Sequence, residues 1–360
     1  MGKPLLSCSC QQAVKFLLNM FITQSFEIEC RLLVRMANVF TFDGNDLKLK
    51  AGLSIAGATC KLATNSSALQ TTLMRWREVD GSSDFEFGLN VLVTKDGSRA
   101  HAKPYFRGMD HIVIISLGKS DLFVFDLLRR TVQGVISESI SVDASYWDSV
   151  LLPIMIGVLG ATVGVLPVHC ASLSAKGHGV LLAGASGSGK STLSVALAKS
   201  GLDFVSDDWT YVSRDGSRLV AHGMPAKVKL LPDAITFFPE LAAKQLGYAL
   251  NGERSYELFA SNDLGLSVRD SCTPECMVFP ERHETCRTEL IAIPPTQIAS
   301  YVGRNVERLP KTLTEAIQLR AGVIDELARL KAWIFCYSGS PQVAAQELRR
   351  FLMLEQGAVA

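Results

Sequence analysis

The sequence has no excess of either charge and no run of one sign. Lys and Arg total 36 against 35 Asp and Glu, a formal net charge of +1. No basic stretch interleaved with aromatics occurs, so nothing points to nucleic acid or another polyanion as a partner. The pairs Arg129–Arg130 and Arg349–Arg350 read as solvated helix or turn positions. Internal repeats and low-complexity linkers are also missing, which excludes solenoids and tethered modules. A disulfide framework is lacking as well: the nine cysteines are odd in number and irregularly scattered between Cys8 and Cys336. A chain of 360 residues can bury enough apolar surface to fold without such staples. Reduced thiols and a cytoplasmic setting are the expectation. Cys272, Cys276, His283 and Cys286 would suffice in number for zinc, but they lack the tight paired spacing of common zinc sites. Scattered reduced cysteines are the better reading there. His101 and His111 stand alone and suggest no ligand set.

Long hydrophobic runs are almost absent too. The opening MGKPLLSCSCQQAVKFLLNMF is too interrupted for a signal peptide, and Leu6 breaks the N-myristoylation pattern. The one exception is Ser149–Val168, uncharged and of bilayer-spanning length. Its two prolines and three glycines, and its direct run into a strand-like segment, favour a buried helix followed by loop and strand. No membrane partner is expected.

What remains divides into two domains. Residues 1–142 read as β-rich after a short helical start, with strand-like runs such as FEIECRLLV, VFTFDGNDLKLKAG, FEFGLNVLVTKDG, HIVIISLG and DLFVFDLL. Turn pairs Asp43–Gly44 and Asp96–Gly97 suggest hairpins in a twisted antiparallel sheet. Residues 143–360 read as α/β. A helix-like stretch leads to two strands joined by a turn at Lys176–Gly179, then a helix closed by Gly201, then the strand DFVSDDWTYVS. Farther on, TLTEAIQLRAGVIDELARL is amphipathic at helical spacing, AWIFCYS is strand-like, and Ser340–Pro341 opens a closing helix.

Between the second strand and the helix lies GASGSGKSTL, residues 184–193. Gly184 and Gly189 bracket four residues, Gly187 adds a hinge, and Lys190 and Ser191 follow at once. This is the phosphate-loop pattern in its required strand-to-helix context. In such a loop successive backbone N–H groups converge on phosphate oxygens, and the helix N-terminus favours the same anion. The expected nucleotide contacts are Gly184, Ala185, Ser186, Gly187, Ser188, Gly189, Lys190, Ser191 and Thr192. Lys190 is suited to the β and γ phosphates and the Ser191 hydroxyl to Mg²⁺. One helix later come Asp207 and Asp208. Adjacent residues on a strand point opposite ways, so one carboxylate can serve a metal while the other faces an acceptor hydroxyl.

Residues 166–212, from LPVHCASLSAKGHGV to VSDDWTYV, resemble the catalytic core of the HPr kinase/phosphorylase family. That family is similar in fold to ATP-dependent phosphoenolpyruvate carboxykinases. The resemblance implies a P-loop kinase using ATP and Mg²⁺, with a serine of a peptide or protein as the hydroxyl acceptor and a small-molecule hydroxyl as the alternative, and a homo-oligomeric assembly. It implies Asp207 as general base, Asp208 as a metal-side carboxylate, and His169 and Lys190 close to the transferring phosphate. The family's later Glu-bearing segment of LEIRG type is missing; Lys227 and Lys229 occupy that region, and residues 1–142 do not match the usual N-terminal domain. The resemblance therefore does not extend to HPr itself as acceptor. The alternative reading is a nucleotide-gated regulatory protein with slow ATP hydrolysis. Arg254 and Arg282 are the arginines to watch for charge stabilisation, and Trp209 reads as a core residue.

Overall fold

The computed structural model describes residues 46–76, 84–95, 104–117, 121–185, 187–224, 227–248, 253–285, 287–306 and 309–357. The expected strand over 26–34 and the turn at 43–44 lie outside these residues, as do Asp96–Gly97, Ser186 and Cys286. The chain divides into two compact units: Met1–Val165 with Glu307–Arg320, and Leu166–Val306 with Ala321–Ala360.

The first unit carries β1 (Leu49–Ile55), β2 (Ala58–Thr64), helix α1 (Ser67–Leu73), β3 (Phe87–Thr94), β4 (Tyr105–Met109), β5 (Ile112–Ser116), β6 (Leu122–Asp126) and β7 (Thr131–Ser137). They form a seven-stranded sheet in the order β1-β2-β3-β7-β6-β5-β4. The sequence suggests hairpins throughout, yet β2, β3 and β7 run parallel. The chain reaches β3 by way of α1, and a parallel neighbour requires such a crossover. Among the described residues of this unit the hairpins are confined to β1–β2 and to the β4–β7 meander. On β7, Gly134 is set by packing: a Cβ there would lie 2.4 Å from the Phe123 ring.

The apolar helical run Ala144–Val163 is long and apolar enough to cross a membrane, but 72% of its most apolar window is buried inside the protein. It groups with the first unit, whereas the sequence reading placed residues from 143 onward with the second. Its side chains explain this. Trp147 is fully buried, its ring meets Phe123 edge-on at 6.1 Å, and its indole N–H donates to the Ile140 carbonyl at 3.0 Å. Asp148 accepts from the Trp76 indole at 3.0 Å and pairs with Arg75 at 2.7 Å. A π-helical turn over Trp147–Leu151 precedes helix α2 (Leu152–Leu159). Pro153, having no N–H to give, sits just where the ladder loosens.

The second unit has a mixed sheet. Its strands are β8 (Leu166–Val168), β9 (Cys170–Ala175), β10 (His178–Ala183), β11 (Asp203–Ser206), β12 (Thr210–Asp215), β13 (Arg218–His222), β17 (Ser271–Arg282), β18 (Glu289–Ala292) and β19 (Lys331–Tyr337). The order is β11-β9-β10-β17-β13-β12-β8, with β19 also on β17 and β18 on β19. A separate three-stranded sheet holds β14 (Lys227–Leu230), β15 (Gly247–Tyr248) and β16 (Arg254–Phe259). The β9–β10 turn uses positive φ at both Lys176 (55°) and Gly177 (95°), the handedness that matches strand twist in a two-residue hairpin.

Strand β10 reads GVLLA because both its faces are covered. Val180 and Leu182 join one core, with Leu193 and Leu197 of helix α3 (Lys190–Lys199) and Ala344 and Leu348 of the helix opened by Pro341. Leu181 and Ala183 join the other, with Ile298 and Val302 of helix α4 (Pro295–Asn305) and with Val323 and Leu327. The glycine-bearing segment after Ala183 thus leaves a strand fixed on both sides.

Truncating Trp147 to Ala should cost the first unit about 3–5 kcal/mol, the usual loss for a large buried aromatic. Chemical denaturation followed by circular dichroism measures it. A change under about 1 kcal/mol would mean that the helical run does not depend on its contact with Phe123.

Candidate functional site

The segment after β10 turns on glycine. Gly184, Gly187 and Gly189 have φ of 142°, 82° and 89°, a region costly for any residue with a Cβ. A Cβ on Gly189 would also come within 2.9 Å of the Tyr337 hydroxyl. Helix α3 starts at Lys190, with the Leu193 N–H on the Gly189 carbonyl at 2.8 Å. At its other end Gly201, at φ 107°, closes the helix: Leu202 N–H donates to Leu197 O at 3.3 Å. The Lys190 ammonium is folded back onto the loop, donating to the Gly184 and Ala185 carbonyls at 2.9 Å each. Burial holds its pKa below the ordinary lysine range, while Asp208 and Asp207 oppose that shift.

Asp207 and Asp208 do not lie within one strand as DFVSDDWTYVS suggests. They fall in a break. Strand β11 ends at Ser206 and pairs with β9, whereas β12 begins at Thr210 and pairs with β8 and β13. His169 occupies the matching break between β8 and β9. The sheet therefore has a fault along which its ladders change partners, and His169 faces Asp208 across it, Nε2 to Oδ1 at 2.9 Å. Beneath the fault runs a buried hydroxyl chain. Ser172 Oγ meets Ser206 Oγ at 2.9 Å, Ser206 meets Thr210 at 2.6 Å, and Thr210 donates to Cys170 O at 3.0 Å. It ties β9, β11 and β12 where backbone pairing lapses.

The two carboxylates have different surroundings. Asp207 is 3% exposed. It accepts from the Lys229 backbone N–H at 3.1 Å and from Ser194 Oγ at 3.4 Å. Burial, then repulsion from Asp208, pushes its pKa up to about 7; the Lys229 N–H, the Ser191 hydroxyl and Lys190 oppose the rise. The Asp208 side chain is 47% exposed and bonded to His169. Trp209, expected in the core, is half-buried with its ring 5.6 Å from that of His169. It covers the histidine because the break turns it out of the ladder.

Tyr301 on α4 is a member that the sequence gives no sign of. Its hydroxyl accepts from Gly184 N–H at 2.9 Å and lies 2.9 Å from the His169 carbonyl, to which it donates. One phenol thus joins the start of the loop to the break that carries His169. No motif spacing links position 301 to position 184, so only the fold reveals it. Arg282 is elsewhere engaged, its guanidinium over the Phe237 ring at 5.1 Å and donating to Gly339 O at 3.2 Å. Arg254 is exposed on β16, opposite Tyr248.

These residues fit an anionic ligand and a hard cation. Ser188 Oγ is buried without a hydrogen-bond partner, a cost that a polar ligand would remove. Ser191, Asp207 and Asp208 offer only oxygen donors, the kind Mg²⁺ takes. Cys272 and Cys276 are buried on β17, in no disulfide.

No protein-family model matches the chain, and no curated protein matches it. Among solved structures, the Hpr(Ser) kinase/phosphatase from Coxiella burnetii is similar at 14% identity and a TM-score of 0.31, over 53% of this chain and 93% of that one. A likeness that distant leaves the function to be argued from the site's own residues.

The raised pKa of Asp207 sets a pH dependence. Between about pH 4 and pH 7 the folded chain keeps a proton that the unfolded chain releases. Stability from this group is thus highest at low pH, falls as pH rises through that window, and is level above it. In chelator-treated protein without nucleotide, Asp207→Asn should raise the melting temperature at pH 8 and leave it unchanged near pH 4. A variant that melts lower than the parent at pH 8 would show that the carboxylate is not held at an electrostatic cost.

Proposed function

We propose that the chain is an ATP-dependent phosphotransferase that moves the γ-phosphoryl group to a hydroxyl, with Mg²⁺. A serine of a peptide or protein is the acceptor class that the sequence resemblance implies. The observation that supports the reading is the unlike setting of two adjacent carboxylates, one buried near Lys190 and Ser191, the other half-exposed against His169. A nucleotide switch needs a metal ligand and no second, outward carboxylate.

Geometry bears on which aspartate does what. The resemblance gives the base role to Asp207 and the metal side to Asp208. Yet Asp207 is enclosed, and the Ser191 hydroxyl, the one expected to meet Mg²⁺, is among the groups that favour its charged form, which suits a carboxylate on the metal side. Asp208 is reachable from solvent and oriented by His169, which suits a base that must touch an incoming hydroxyl. In this assignment Asp208 takes the acceptor's proton as the acceptor oxygen bonds to phosphorus and the bond to ADP breaks. Mg²⁺ would offset charge on the phosphates, and Lys190 would leave its two loop carbonyls for the phosphate oxygens. The loop N–H groups and the α3 N-terminus add to the same field.

Three variants test this with labelled ATP and a whole-cell extract as the acceptor source. Lys190→Ala should lose transfer by several kcal/mol of transition-state stabilisation while the fold survives. Asp208→Asn should keep ATP affinity within a few-fold and lower transfer by roughly 10²–10⁴. Asp207→Asn should instead weaken Mg²⁺-dependent nucleotide binding. The opposite pattern would restore the base role to Asp207. Equal small effects, with ATP consumed and nothing labelled, would favour the nucleotide-gated regulator.

A further inference from the structure

The ends of β17 and β19 bring together three residues far apart in sequence: Glu281, His283 and Cys336. One ligand atom from each lies within 4.8 Å of the others. His283 Nε2 is 3.8 Å from Glu281 Oε2, close to the edge of a tetrahedron built on metal bonds of about 2.0–2.3 Å. Register explains the convergence. Glu281 is directly opposite Cys336 across the parallel pair. His283 follows two positions on, and its N–H continues the ladder to the Tyr337 carbonyl at 3.0 Å. On the other side of β19, Glu289 of β18 is also directly opposite Cys336. Directly opposed residues share a sheet face, so a further carboxylate stands in the same row.

We propose that Glu281, His283 and Cys336 form a binding site for a zinc-type divalent cation. One thiolate, one imidazole and one carboxylate make a borderline donor set, which favours Zn²⁺ over the hard cations suited to Ser191 and the aspartates. Glu289 is not among the converging ligand atoms, so the fourth position would fall to water. The candidate zinc group in the sequence overlaps this one only at His283, because β17 carries Cys272 and Cys276 into the sheet interior. Cys336 comes from a strand some fifty residues later, a partner that spacing does not disclose.

The site also has a position that matters. Tyr337 adjoins Cys336, and its hydroxyl bounds the space at Gly189. A cation there would clamp β17 to β19 at the point where β19 supports the phosphate loop. Its role is to hold that edge, without taking part in chemistry. The proposal does not depend on the phosphotransferase reading.

Cobalt(II), as a spectroscopic stand-in for zinc, tests it on the full chain after chelation. The expected result is about one equivalent bound, with a thiolate-to-cobalt charge-transfer band and the visible bands of a tetrahedral site. Zinc should displace it and raise the melting temperature. Cys336→Ser should abolish the charge-transfer band, and Lys190→Ala should leave it intact. Should Cys336→Ser fail to fold, His283→Ala, at an exposed position, should remove the tetrahedral spectrum. Absence of the band in the parent, or an unchanged spectrum in either ligand variant, overturns the site.

Discussion

A carboxylate enclosed in protein beside an ammonium and a second carboxylate is the constraint on which the second unit turns. Asp207 is buried where its charge is costly, and its neighbours offset only part of that cost. The Lys229 N–H, the Ser194 hydroxyl and Lys190 favour the charged form; enclosure and Asp208 disfavour it. A sheet built for stability alone would place an apolar residue there. The hydroxyl chain of Ser172, Ser206 and Thr210 supplies what the interrupted ladders cannot, a set of fixed partners beneath the charged groups. Cores on both faces of β10 then keep the whole arrangement from relaxing.

Rigidity and incompleteness coexist at the loop. Its three glycines adopt conformations that other residues resist, and Tyr301 and Tyr337 bound it from two elements. Yet Ser188 is left without a partner and Lys190 rests on carbonyls of its own loop. A donor without a partner, and another held by carbonyls that a ligand could replace, are a form of preorganisation: the cost of ordering them is met in folding.

Much of the loop was legible in the sequence, because its chemistry is local. The left-handed glycines Gly184, Gly187 and Gly189 and the helix behind them are dictated by residues next to one another, and the two-residue hairpin at Lys176–Gly177 is equally local. The N-terminal sheet was legible as strands but not as topology: β2, β3 and β7 are parallel because of connections that propensity does not encode. The helical run from Ala144 reads as buried, while its place with the first unit rests on Trp147 meeting Phe123 and Asp148 meeting Trp76. At the site, both aspartates stand out by type and position. Their division into enclosed and exposed does not, since it arises from a strand break produced by pairing with β9, β8 and β13. Tyr301 and Cys336 were invisible for the same reason, as each acts on residues brought near only by the sheet.

The fault in that sheet also behaves as a vernier. On one side β9 and β11 count off their own register, with a bulge between Phe204 and Ser206; on the other, β8 and β12 count off theirs. The two are joined only the long way round, through β10, β17 and β13, and their offset is read directly where the chain crosses, at His169 and at Asp207–Trp209. A slip of one residue on either scale would turn every side chain on it to the opposite face. The 2.9 Å contact between His169 and Asp208 is therefore the mark at which the two rulings coincide.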